Sequence, residues 1–348
     1  MVYVSDMDKK ILIVGNFCSS TNGSYGVCQD LANKLAENGW GVIRTSYQKN
    51  KVLRLLDILS TISLQRHIYA IAQVDVFSGP AFIWAELSCI LLKLLGKKIV
   101  LTLHGGNLPI FADRYRSRVN KLLNWADVVT SPSEYLKKEM AVFRNDIKLI
   151  NNPINVNNYP FRLRDKPLPK IVWLRAFHEI YNPKMAVYIM NKVRVDFPRA
   201  SLLMIGPDKG DGSFQQTTEL TKELGLNSHI EFIGGVRKED VPKWISKGDI
   251  FINTTNVDNT PVTIIEAMAC GLCIVSTNVG GLPYLLQHEA DALLVPPNDP
   301  DLFFAAIKRI LMDSSTSVRI SQNARSKACE FDWPNILPKW EELLERLV

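Results

Sequence analysis

The sequence predicts an α/β protein made of two open parallel sheets, and three observations carry that expectation. Short apolar runs of strand length alternate with amphipathic helical stretches along the whole chain. The alternation stops and restarts across a polar, proline-containing stretch near the middle. The chain has 348 residues, about twice a common domain size of roughly 150 residues.

In the first half, Lys10-Ile-Leu-Ile-Val-Gly15 reads as a buried strand, and a helix over 24–38 follows and stops at Gly39. Further strands are expected at 41–46, 74–78, 98–103 and 127–131. Leu55, Leu56, Leu59, Ile62 and Ile68 recur at helical spacing and predict one long amphipathic helix over 53–72. In the second half, strands are expected at 170–174, 201–205, 230–233, 249–254, 273–277 and 292–295. Between the halves, Asn155 to Pro169 is polar and contains Pro160, Pro167 and Pro169, so it reads as a linker. Past Asp313, helical stretches are expected over 316–329 and 335–347, interrupted at Trp333-Pro334. Two open sheets facing one another would make a cleft, with ligands at the carboxyl ends of the strands.

Composition narrows the class. Hydrophobic residues make up 47% and charged residues 22%, which excludes a disordered or fibrous chain. The most apolar stretch, Ala81 to Leu95, is broken by Glu86 and Lys93, so an integral membrane protein is not expected. Asp6, Asp8, Lys9 and Lys10 precede the first strand without the order of regions of a signal peptide, so a cytoplasmic location is expected. The 6 cysteines are too sparse for a disulfide scaffold. Cys270 and Cys273 form a CxxC without a second ligand pair and read as core thiols. Asp6-Met7-Asp8 precedes a strand instead of following one and reads as a solvated terminus, so no metal is expected.

The net charge of +6 is unevenly spread. Residues 1–165 carry 21 Lys and Arg against 13 Asp and Glu, and the remainder carry 20 against 22. Arg114, Arg118 and Lys121 fall at i, i+4 and i+7 and are expected on one helical face. Two readings fit them: a solvated face, or attraction to an anionic membrane or substrate. No P-loop and no G-x-G-x-x-G is present, which argues against kinase and dehydrogenase chemistry. Nucleic acid is not an expected partner.

The segment from Asp249 to Gly271 is the most informative. A buried strand ends near Thr255, a polar loop with Asp258 follows, and Thr260 is the expected N-cap of a helix whose first residue is Pro261. Gly271 is expected to close that helix. A helix opening at a strand's carboxyl end favours an anion such as a diphosphate. Glu266 sits in an apolar stretch, where a carboxylate is costly without partners such as sugar hydroxyls. A capped helix with a partly exposed glutamate fits the same residues.

Taken in order, several segments resemble glycosyltransferase family 4, a group of nucleotide-sugar-dependent enzymes with the GT-B fold. These are Asn22-Gly23, Trp125-Ala-Asp-Val-Val-Thr-Ser131, Ile150-Asn-Asn-Pro-Ile-Asn155, Ile205-Gly206-Pro207, Phe232-Ile-Gly-Gly-Val236, Glu266-Ala-Met-Ala-Cys-Gly271 and Gly280-Gly-Leu-Pro283. The resemblance implies two Rossmann-like domains facing across a cleft. They would cover residues 1–160 for the acceptor and 161–328 for the nucleotide sugar, with 329–348 a helix returning to the first domain. The family's paired acidic residues fall on Asp258 and Glu266.

Under that resemblance, Glu266 would hold the nucleotide ribose and Asp258 the hydroxyls of the donor sugar. The backbone of Asn259, Thr260, Pro261, Val262 and Thr263 would approach the sugar and diphosphate. Gly23 would allow close passage of diphosphate or acceptor, Gly206 would line the donor site, and Val236 and Arg237 would flank the nucleobase. His104, at a strand end of the first domain, would contact the donor sugar near its reacting carbon. Arg175 matches the family's phosphate-binding arginine, but Tyr181-Asn182 stands where Lys-Gly is expected, and Lys184 comes three residues late. The implied activity is retaining transfer from a UDP- or GDP-sugar to a glycan or lipid-linked glycan acceptor, with no cofactor and no metal. The rival readings are a nucleotide-sugar epimerase of similar fold and a degenerate nucleotide-binding scaffold. The implied cellular place is cytoplasmic, peripheral on the membrane's inner face, with Arg114, Arg118, Lys121 and the 53–72 helix as membrane contacts.

Overall fold

The structure, a computed structural model, describes residues 9–17 and 26–348. It divides into two compact units, one of residues 1–153 and 333–348, the other of residues 154–332. In the first unit the strands are β1 (Lys10–Val14), β2 (Gly41–Thr45), β3 (Ile71–Val76), β4 (Lys98–Leu103), β5 (Val128–Ser131) and β6 (Lys148–Leu149). Its helices are α1 (Val27–Glu37), α2 (Lys51–Leu64), α3 (Phe82–Leu94), α4 (Leu108–Arg114), α5 (Arg116–Trp125) and α6 (Glu134–Met140). The second unit holds β7 (Lys170–Leu174), β8 (Ser201–Ile205), β9 (Ile230–Gly234), β10 (Ile250–Asn253), β11 (Cys273–Thr277) and β12 (Leu293–Val295). Its helices are α7 (Pro183–Asp196), α8 (Ser213–Glu223), α9 (Val241–Ile245), α10 (Val262–Ala269), α11 (Leu282–Leu285), α12 (Pro300–Met312) and α13 (Ser314–Cys329). The last helix, α14 (Trp333–Glu345), belongs to the first unit.

Both sheets are parallel and six-stranded, in the orders β2-β1-β3-β4-β5-β6 and β12-β11-β10-β7-β8-β9. Each is covered on both faces, which is why its strands read as continuous apolar runs. Along β1, Leu12 and Val14 enter one core, and Ile11 and Ile13 the other. Along β7, Ile171 and Trp173 take one face, and Val172 and Leu174 the opposite one. Trp333, Ile336, Trp340, Leu343 and Leu344 of α14 pack onto the face of β1 that holds Ile11 and Ile13.

The strand order reverses between β1 and β3 in the first sheet and between β7 and β10 in the second. At such a point adjacent connections leave on opposite faces and open a crevice at the strands' carboxyl ends. In the second unit that crevice is flanked by the residues following β7 and β10.

Several sequence expectations are corrected. The helix predicted over 53–72 ends at Leu64, because Ile71 and Ala72 pair with Ile11 and Leu12 as the start of β3. Its expected apolar stripe holds only in part: Ile62 is buried as expected and Ile58 with it, whereas Leu56 is exposed. The stretch 155–169 is no free linker. Val156 and Tyr159 join the core of the second unit, and Arg164 is 1% exposed. Arg164 ion-pairs with Asp249 and donates to the Gly248 carbonyl at 3.0 Å. Asn155, Asn157, Asn158, Asp165 and Lys166 are exposed, so the polar composition reflects solvation at most positions and buried pairing at Arg164. Trp333-Pro334 opens α14 instead of interrupting a helix; proline fits the first turn, where its missing N–H costs nothing.

Candidate active site

The second unit gathers most of the expected site residues. Arg175 follows β7, and Asp258 lies in the loop between β10 and α10; their side chains form an ion pair. Asp258 also accepts from the N–H of Asn259 at 2.9 Å. Burial pushes the Asp258 carboxyl above its ordinary range, and the Arg175 guanidinium and the Asn259 amide oppose that rise. Tyr181, which stands where a lysine was expected, places its ring 4.9 Å from the Arg175 guanidinium. A cation over an aromatic face is stabilised, so the ring holds the arginine where a second cation would have repelled it.

The loop carrying Tyr181 is tied down from two sides. The Thr254 hydroxyl donates to the carbonyls of Tyr181 (2.8 Å) and Asn182 (3.0 Å). Asp211 accepts from the Glu179 N–H at 2.8 Å and from the Ser213 hydroxyl at 2.8 Å. Burial would raise the Asp211 carboxyl, but these donors outweigh it and hold it down at about 2.

Glu266 lies within α10 and is 4% exposed. Its Oε1 accepts from the Tyr159 hydroxyl at 2.7 Å, which supplies the polar partner that its apolar surroundings demand. Arg325 fixes this part of the unit, donating to the carbonyls of Tyr159 (3.2 Å) and Ala269 (2.6 Å). The opening of α10 differs by one residue from expectation. Pro261 is extended and stands before the helix, Val262 begins it, and Thr260 makes no capping hydrogen bond. Asn259 and Thr260 are buried in the preceding loop. Gly271 follows the helix end, its N–H donating to the Met268 carbonyl at 2.9 Å.

Two glycines let the backbone close on this site. Gly206 has φ +151°, and a Cβ there would sit 1.8 Å from the Arg175 carbonyl oxygen. Gly280 has φ +53°, and a Cβ there would sit 2.2 Å from the Asp258 carbonyl oxygen. The Gly281 N–H donates to that same oxygen at 3.0 Å, so the Gly280-Gly281 turn props the acidic loop from behind. Beside these groups, Arg175 Nε and Thr263 Oγ1 are buried without a hydrogen-bond partner among the described residues. They are two of several such atoms among the described residues, and these two lie on residues flanking the switch point.

Other expected residues stand apart. Lys184, in the first turn of α7, donates to Gln216 on the surface at 3.0 Å. Arg237 is exposed and ion-pairs with Glu239 and Asp240, while Val236 packs against the core. Gly23, Asn22, Asp6 and Asp8 lie outside the described residues.

In the first unit, His104 follows β4 and is 8% exposed. Its Nε2 lies 3.0 Å from Asp75 Oδ1, and its ring stacks on Phe77 at 4.8 Å and 17°. Asp75, Gln73, Thr102, Cys28 and Asn151 line the same small cavity. Arg114, Arg118 and Lys121 do not share one helix face. Tyr115 breaks the backbone between α4 and α5 (φ −121°, ψ 42°), and Arg118 is engaged with Glu86. Arg114 and Arg118 both lie over the ring of Tyr115, and Lys121 lies over that of Trp125.

Sequence reasoning missed Tyr159, Tyr181 and Asp75. Asp75 had a readable signal, a charged residue inside the apolar run Ile71–Val76. Cys270 and Cys273 enter opposite cores, and among the described residues no cluster of three or more His, Cys, Asp or Glu is poised to hold a metal.

A family model described as Glycosyl transferases group 1 matches residues 160–327, and one described as Glycosyltransferase Family 4 matches residues 24–158. The chain is 25% identical over 257 residues to the putative glycosyltransferase YtcC of Bacillus subtilis, covering 66% of this chain and 62% of that one. Matches to two further curated relatives, an inositol phosphate glycosyltransferase of Salinispora arenicola and a sulfoquinovosyl transferase of Arabidopsis thaliana, span 30% and 50% of their lengths. Among solved structures, HepE of Anabaena, determined with UDP and glucose, superposes with a TM-score of 0.77 at 16% identity, covering 97% of this chain and 99% of that one. Sucrose-phosphate synthase of Thermosynechococcus elongatus superposes with a TM-score of 0.80 at 18% identity over the same shares. With both sheets, their switch points and both family matches in agreement, the chain belongs to the group 1 glycosyltransferases of family 4 and has the GT-B fold.

Proposed function

We propose that this protein is a retaining glycosyltransferase that moves a sugar from a UDP- or GDP-sugar to a glycan or lipid-linked glycan acceptor. The observation that carries the reading is the grouping of Arg175, Asp258 and Glu266 at the switch point of the second sheet, beside two unpartnered buried polar atoms.

The roles follow from what the transition state needs. Cleaving a sugar–diphosphate bond builds positive charge at the anomeric carbon and negative charge on the leaving diphosphate. Arg175 and the amides at the opening of α10 stabilise the leaving group, with Arg175 exchanging Asp258 for phosphate oxygens. Asp258 then receives sugar hydroxyls, and Glu266 receives those of the ribose. Val236 and Arg237 flank the base, with Lys184 held at the surface by Gln216. His104 contacts the donor sugar, and the leaving phosphate takes the acceptor proton on the same face of the ring. No side chain is required as a covalent nucleophile, and no metal is assigned.

UDP with glucose accompanies one structural relative, and a mannosyltransferase of Mycobacterium tuberculosis, 23% identical, is named for GDP-mannose; both bases therefore belong in the assay. The test is a panel of UDP- and GDP-sugars with and without a lipid-linked glycan extract. A transferase labels the acceptor; an epimerase converts donor without acceptor; a scaffold does neither. Either of the last two outcomes overturns the reading.

A second observation favours a membrane-bound acceptor. Helix α2 exposes Val52, Leu53 and Leu56, with Lys51 beside them, as an interfacial helix does. No helix among the described residues is long and apolar enough to cross a membrane. We read α2 as the contact with an anionic membrane surface, with Arg114 and Lys121 contributing charge.

A further inference from the structure

A buried chain of hydrogen bonds in the first unit ends on His104. The Thr130 hydroxyl donates to Thr102 Oγ1 at 3.0 Å, and Gln73 Nε2 donates to Thr102 Oγ1 at 2.8 Å and to Asp75 Oδ1 at 2.8 Å. Asp75 Oδ1 in turn faces His104 Nε2 at 3.0 Å. Gln73, Thr102 and Thr130 are all buried. They sit on adjacent strands, with Gln73 beside Val100 and Asp75 beside Thr102 in register. The other face of β3 is apolar: Val74 and Val76 enter the core there. Packing alone does not call for a glutamine, two threonines and a carboxylate inside a parallel sheet, where polar groups cost free energy unless they are paired.

The pairing has a chemical consequence. A carboxylate has no hydrogen to give, so the imidazole donates. In the neutral imidazole that selects the tautomer with the proton on Nε2 and leaves Nδ1 as an acceptor. The Phe77 ring stacks on one face of the imidazole, and the His104 backbone N–H donates to the Val76 carbonyl at 2.9 Å, which anchors the main chain that carries it.

We infer that Asp75 is a positioning residue for the transfer reaction, acting through His104 by fixing its tautomer and ring orientation toward the donor sugar. The inference rests on the reading of His104 as a donor-sugar contact. Gln73 and Thr102 hold Asp75 in turn, so the group that orders the reacting end of the sugar is built into the sheet.

The test uses the full chain with Asp75→Asn, Asp75→Ala, His104→Ala and the Asp75→Ala/His104→Ala double variant. Imidazole ¹⁵N shifts of His104, read without substrate, report the tautomer. The wild type is expected to show the Nε2–H form, and Asp75→Ala a mixture of both forms. Asp75→Asn, the smaller change, serves if the alanine variant does not fold. In the transfer assay, kcat is expected to fall on the order of 10²-fold, the cost of a misplaced contact near the chemistry, with the donor KM little changed. The double variant is expected to lose no more than His104→Ala alone. An unchanged tautomer, or losses that add, overturns the inference. Absence of transfer by the wild type defeats the functional reading instead, and the imidazole shifts still decide whether Asp75 sets His104.

Discussion

Arg175 and Asp258 meet as an ion pair across the switch point of the second sheet, one following β7 and the other following β10. Both side chains are largely buried, and Tyr181 packs on the guanidinium. Removing one partner of such a pair strands the other, at a cost of about 3 kcal/mol. Arg175→Ala is therefore expected to lower the melting temperature and abolish transfer. Arg175→Ala/Asp258→Ala is expected to regain most of the stability and none of the activity, as read by thermal melts and the transfer assay. A double variant as unstable as the single one contradicts this account.

The Gly280-Gly281 turn supports the same loop. A Cβ at Gly280 falls 2.2 Å from the Asp258 carbonyl oxygen, and the residue has φ +53°. Gly280→Ala is expected to cost about 2 kcal/mol through backbone strain. It should also weaken donor binding, because the acidic loop must move away from the turn. Calorimetric unfolding and nucleotide titration check both halves.

Asp211 gives a pH dependence with a definite sign. Its carboxyl is held at about 2, below the ordinary aspartate range, so the folded state favours the ionised form. The stability it adds is present above the unfolded value and is lost as pH falls toward 2. Because the group is partly exposed, the contribution is only about 1 kcal/mol. The stability gap between wild type and Asp211→Asn is expected to be constant above pH 5 and to narrow toward pH 3, as measured by denaturant unfolding. A gap that widens with acid contradicts it.

The α2 face predicts membrane behaviour. Leu53→Ser/Leu56→Ser is expected to abolish sedimentation with anionic vesicles, whereas Arg114→Ser/Lys121→Ser weakens only the salt-sensitive part. Vesicle binding unchanged by the leucine substitutions sinks the contact surface proposed here.

How much was legible in the sequence depended on how local the signal was. The central strands were readable because they are buried on both faces, so β7 and β8 appear as largely apolar runs, whereas β6, two residues long and partly exposed at the sheet edge, was not expected. The α2 boundary was misread because Ile68, Ile71 and Ala72 continue the apolar pattern after the helix has ended, and only pairing with β1 marks them as strand. The 155–169 stretch looked like a linker because its burial rests on partners far away in sequence: Tyr159 on Glu266, and Arg164 on Asp249. Arg175, Asp258 and Glu266 were found by spacing within family-like segments. Tyr181 over Arg175 and Asp75 beside His104 needed three-dimensional proximity, which no spacing supplies.

The central claim is that the second unit binds a nucleoside diphosphate through Glu266. Thermal stabilisation by UDP, GDP and ADP tests it most directly, since a ligand of the folded state raises the melting temperature by mass action. The account predicts a clear shift with UDP or GDP, reduced in Tyr159→Phe and lost in Glu266→Ala. No shift with any of the three nucleotides, or one that survives Glu266→Ala, contradicts it.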